Sequence, residues 1–155
     1  MKAIARVVLA GACFAAIPTF AADDALRIGQ AIYYEVNALP SATQDPVARS
    51  LASCLENGES TAGMSKCYRE ASARYDAVLN RVYQTDLQSA SGNTKEALRH
   101  AQRRWPAFRQ AEQNLHARYA EGRGTVMVPI IGENDLSAVR DRIAELMMYT
   151  GFREE

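Results

Sequence analysis

Long apolar runs are missing from this 155-residue chain. The longest, residues 7–17, falls short of the about 20 residues that a membrane-spanning helix needs, so no stable membrane span is expected. Charge of one sign is lacking too, with 18 basic residues against 18 acidic ones. That removes the global basic excess that draws a chain to nucleic acid. Cysteine is scarce at three. Cys54 and Cys67 lack the C-x-x-C spacing of a redox pair, and no second thiol pair or paired histidine completes a zinc site. The two histidines, His100 and His116, are far apart with no carboxylate or cysteine neighbours at metal-ligand spacing, and both read as exposed helix residues. No Ser-His-Asp order, nucleophile–base set or phosphate-binding loop is visible. The expectation is a protein without cofactor, metal or enzymatic activity.

What the chain does have begins at its first residues. Lys2 and Arg6 precede the short apolar stretch, and small residues follow at Thr19, Ala21 and Ala22. This is the order of a secretory signal: a charged region, a short apolar region and a cleavage site. Residues 1–22 are read as signal peptide and 23–155 as one domain of about 133 residues, enough for a modest core. Loss of Lys2 and Arg6 leaves 16 basic against 18 acidic residues, a formal charge of −2. Ala10-Gly11-Ala12-Cys13 has some likeness to a lipid-attachment box, but Ala10 stands where leucine is usual and the apolar run continues past Cys13. A soluble mature protein, periplasmic or secreted, is preferred to a lipid-anchored one. In that compartment the two remaining cysteines should form a Cys54–Cys67 disulfide, worth roughly 3 kcal/mol in the chain-entropy model.

The mature region reads as helices. Ala25, Ile28, Ala31, Ile32 and Val36 recur at helical spacing. Asp45-Pro46 suits a cap followed by a first helical residue, and that short helix should end near Asn57-Gly58. Ser60 or Thr61 opens a long helix whose stripe includes Met64, Cys67, Ala71, Tyr75, Val78, Leu79 and Val82. Asn93-x-x-Glu96 resembles a capping box for the next, whose buried side is marked by Leu98, Ala101, Trp105, Phe108, Ala111 and Leu115. Pro106 lies inside that helix and should kink or divide it. Residues 126–131, with Pro129 among them, read as an extended loop or edge strand. The last helix then starts at Asp135 or Ser137 and stops at Gly151. The fold class is all-α: a small bundle built on a long antiparallel hairpin, with one disulfide.

Cys54, Met64-x-x-Cys67, Tyr75-Asp76-x-x-Leu79-Asn80-x-x-Tyr83 and Leu98-x-x-x-Gln102-x-x-Trp105-x-x-x-Arg109 follow one another in an ordered string. Together they resemble the LprI-like family of small secreted bacterial proteins over residues 54–146. The resemblance implies an extracytoplasmic helical domain and, for the family's named member, inhibition of lysozyme. Where relatives carry two further cysteines, this chain has Asn114 and Asn134. The tie they would make is absent here, and residues 121–133 are expected to be more mobile for it.

Gln102, Trp105 and Arg109 share one helix face. Asp76 and Asn80, at i and i+4 on the opposing helix, are their natural partners in a structural polar clamp. The remaining candidates concern a protein partner, in one reading a lysozyme or a related peptidoglycan-cleaving enzyme. A cleft with paired carboxylates can be blocked by a loop. Two are available: residues 56–65, with Glu56 and Glu59 near the disulfide, and residues 121–133, with Arg123 near the tip. The alternative reading is an envelope adaptor or an immunity protein against a secreted toxin.

Overall fold

The computed structural model describes residues 21–39, 44–58 and 60–151; the signal-peptide reading, Cys13 and Glu59 lie outside the described residues, apart from Ala21 and Ala22. Five helices follow in order: α1 (Ala22–Val36), α2 (Pro46–Glu56), α3 (Thr61–Ser89), α4 (Gly92–Ala120) and α5 (Met127–Gly151), with a 3₁₀ turn at Gly124–Val126 before α5. No strand occurs among the described residues.

Local chemistry explains most boundaries. Asp45 caps α2, its Oδ1 accepting from the backbone N–H of Val47 at 2.8 Å and of Ala48 at 3.3 Å, while Pro46 takes the first helical position. Ser60 Oγ accepts from Gly63 N–H at the head of α3. The capping box expected at Asn93 is not formed. Gly92, at φ +50, opens α4 behind Ser91, which makes no side-chain cap. That places Asn93 inside the helix, past the capping position.

Neither Pro106 nor Pro129 interrupts its helix. Pro106 neither ends nor divides α4, which runs through it without a break. Residues 126–131 are neither extended nor a strand, and α5 starts eight residues before Asp135. Pro129 then falls in the first turn of α5, where backbone N–H groups have no intrahelical acceptor and a proline removes nothing. Gly122 and Gly124, at φ +76 and +70, supply the left-handed residues for the tight α4–α5 turn.

The core is built on α3 and α5, which form the largest helix–helix interface, with α1 against both and α2 against α3. Tyr75, Val78 and Val82 of α3 meet Val139, Ile143 and Leu146 of α5, all essentially inaccessible, with Ile32 and Val47 closing the sides. Gly29 lets α1 approach closely: a Cβ there meets Met147 Sδ at 2.9 Å and Val82 Cγ2 at 3.0 Å. Gly132 does the same for α5, with the Tyr68 ring 2.5 Å from where a Cβ would stand. The α3–α4 hairpin is antiparallel, since Arg109 reaches back to Asp76 and Ser72. α4 is the most lightly packed long helix, and Leu98 is its one buried side chain among the described residues. Cys54 and Cys67 are bonded, tying α2 to α3. No described helix is long and apolar enough to cross a membrane.

Candidate functional site

Arg109 leaves α4 toward α3 and donates from Nη1 to Asp76 Oδ1 at 2.6 Å and from Nη2 to Ser72 Oγ at 2.7 Å. Trp105, one turn earlier, packs half-buried against the core. Gln102 turns elsewhere: its Oε1 accepts from Arg142 Nη2 of α5 at 3.3 Å. Asn80 is exposed. The clamp therefore joins Arg109 to Asp76 and Ser72, while Gln102 serves the α4–α5 contact.

His116 is not an exposed bystander. Its Nδ1 lies 2.9 Å from Asp135 Oδ1, linking the end of α4 to the beginning of α5. The pair sits two residues past Asn114 and one past Asn134 and ties α4 to α5 without a covalent bond. With residues 127–133 helical, the region expected to be a mobile loop shrinks to the turn before Met127.

A second polar cluster draws on four helices. Asp45 is fully buried at the head of α2, and its Oδ2 accepts from the Tyr75 hydroxyl of α3 at 2.6 Å. Its backbone N–H donates to Glu35 Oε1 of α1. Arg140 of α5 donates to Glu35 Oε2 and places Nε 3.8 Å from Asp45 Oδ2. Burial first, and the bond to Asp45 second, push the Tyr75 hydroxyl well above the usual tyrosine range. Beside this cluster lies a cavity of about 220 Å³ between α2 and α5, walled by Leu51, Leu55, Leu136 and Arg140. Tyr68 bonds Glu133 at 3.1 Å, and burial followed by that bond raises its pKa to about 12. Such geometry holds helices together. Sequence reasoning missed it, because only the Asp45 cap has a local signal.

The partner-facing candidates are placed as follows. Glu56 is the exposed last residue of α2, and the 56–65 loop is only a short link before α3 begins at Thr61. Arg123 is exposed in the turn after α4. Nothing in the structure brings Glu56 and Arg123 to one site. No group of His, Cys, Asp and Glu that would hold a metal ion occurs among the described residues.

Comparison with curated proteins and with solved structures gives no match. A family model matches residues 53–146, from the start of the disulfide-bonded segment to the buried Leu146 of α5. More than half of the chain lies inside that match, and the protein belongs to the family described as lysozyme inhibitor LprI.

Proposed function

We propose that this protein acts outside the cytoplasm by binding and inhibiting a lysozyme or a related peptidoglycan-cleaving enzyme, without catalysis of its own. Membership in the LprI family over residues 53–146 carries this reading. The Cys54–Cys67 bond supports the location, since disulfides persist in oxidising compartments. The signal-like order of Lys2, Arg6 and the following apolar run supports it as well.

An enzyme that cleaves glycosidic bonds works with two carboxyl groups flanking the scissile bond. A blocking protein needs donors or cations that reach them. Arg123, exposed in the turn between α4 and α5, has the right sign. Glu56 and Glu59 carry the wrong sign for that cleft and fit a rim contact to basic residues outside it. The test is clearing of a bacterial cell suspension by C-type and G-type lysozymes, titrated with the oxidised mature protein. Loss of clearing at an equimolar ratio supports the reading, and full clearing with both enzymes at large excess refutes it.

A further inference from the structure

From the surface of α4 we infer that this helix is the inhibitory element, and that its exposed ridge of Phe108, Leu115 and Tyr119 enters an acidic cleft on the partner enzyme. The inference rests on the inhibitory reading above and names the surface that performs it.

The three side chains are spaced by seven and four residues, so they share one face of the helix. All are large and left in solvent, at 54%, 47% and 57% exposure. Ala97 and Ala101 continue the same face toward the N-terminus and open into a groove of about 420 Å³ that Arg142, Glu145 and Tyr149 of α5 close on the far side. The main inward contacts of α4 come from a different side, through Leu98, Trp105 and Arg109. An apolar stripe of this extent on a lightly packed helix is the mark of a contact surface. Phe108 is also pre-positioned. Its ring packs on Trp105 with centroids 5.6 Å apart, and Trp105 packs half-buried against the core, so little side-chain freedom is lost on docking.

Charge selects the occupant. α4 carries six basic residues against Glu96 and Glu112; Arg109 is taken up by Asp76 of α3, which leaves Lys95, Arg99, Arg103, Arg104 and Arg118. Arg104, four residues before Phe108, and Arg118, three after Leu115 and bonded to Glu121 at 2.8 Å, flank the ridge in solvent, and Arg123 extends the positive edge past the helix end. A convex apolar ridge with a cationic flank is complementary to a recessed apolar floor bearing carboxylates. A bilayer would meet the same apolar ridge, and the vesicle measurement below separates it from the cleft. A second copy fits less well because the two cationic flanks would oppose each other.

The test uses the oxidised mature protein, a C-type and a G-type lysozyme, and two variants: Phe108→Ser/Leu115→Ser/Tyr119→Ser and Arg104→Glu/Arg118→Glu. Lys66→Ala, on the exposed side of α3, is the control. All substituted side chains are exposed, and helical circular dichroism and melting temperature establish folding. The expected result is an inhibition constant raised at least about tenfold by each α4 variant and unchanged in the control. Wild-type inhibition that survives in both folded variants overturns the surface while leaving the inhibitory reading intact. No inhibition by the wild type overturns both. Binding of wild type to anionic phosphatidylglycerol vesicles, lost in the serine variant while inhibition persists, assigns the ridge to a membrane and overturns the proposal. A wild-type dimer that the serine variant converts to monomer, with inhibition retained, assigns it to self-association and overturns it too.

Discussion

Replacing Asp45 by alanine removes a helix cap and the acceptor of a buried hydroxyl in one step. Loss of the cap to Val47 and Ala48 costs about 1 kcal/mol. The Tyr75 hydroxyl, 2.6 Å from Asp45 Oδ2, is left without that acceptor in the core, for about 2 kcal/mol more. Arg140 keeps Glu35 as its partner, so no cation is stranded. The sum, about 3 kcal/mol, corresponds to a fall in melting temperature of roughly 10 °C for a domain of this size. Tyr75→Phe should cost less, about 1.5 kcal/mol, since Asp45 retains its backbone donors. The pair should be non-additive: in Asp45→Ala/Tyr75→Phe no hydroxyl is orphaned, so the double variant should match or exceed the single Asp45→Ala in stability. Thermal and urea unfolding of the four proteins complete the cycle. A drop below about 2 °C for Asp45→Ala, or strict additivity in the cycle, refutes the view that Asp45 and Tyr75 act as one unit.

Gly132→Ala should destabilise by about 1–3 kcal/mol, because the added Cβ meets the buried Tyr68 ring; urea unfolding checks it, and a neutral result means α5 can shift at no cost. Arg109→Ala should lower the melting temperature through lost packing and a lost bond to Asp76, with a cost of about 1–2 kcal/mol held down by the exposure of Asp76. For Tyr68 the folded pKa of about 12 lies above the ordinary 10, so folding favours the neutral phenol. Its contribution is complete below pH about 10 and is lost as pH rises toward about 12. Base titration of stability, compared with Tyr68→Phe, reads this directly, and equal slopes in the two proteins across that window remove Tyr68 from the linkage.

Features with local causes were legible in the sequence. Asp45-Pro46 and Ser60 set helix starts because their side chains act within three residues. The stripe through Tyr75, Val78 and Val82 gave the buried face of α3, because burial follows the helical period. Residues 126–131 were misread as extended because Pro129 breaks a helix interior but is harmless in a first turn. Which case applies depends on a helix start that the sequence marks weakly. The Glu35–Asp45–Tyr75–Arg140 cluster spans up to 105 positions and exists only once four helices have packed. The same holds for Gln102, which tertiary packing assigned to Arg142 in place of the α3 residues opposite. Exposure of Phe108 and Leu115 was hidden as well. The helical spacing assigns both, with Ala101 and Ala111, to the buried side of α4, but all four are exposed, because inward packing reaches only the strip through Leu98, Trp105 and Arg109.

The most direct test of a cleft-blocking inhibitor is competition for the cleft. Binding of the oxidised mature protein to a C-type lysozyme is measured by titration calorimetry, alone and with saturating tri-N-acetylglucosamine, an oligosaccharide that occupies the sugar-binding cleft. One-to-one binding that weakens in proportion to the occupancy of the oligosaccharide is the result expected. Binding of unchanged affinity with the cleft filled, or no binding at all, contradicts the account.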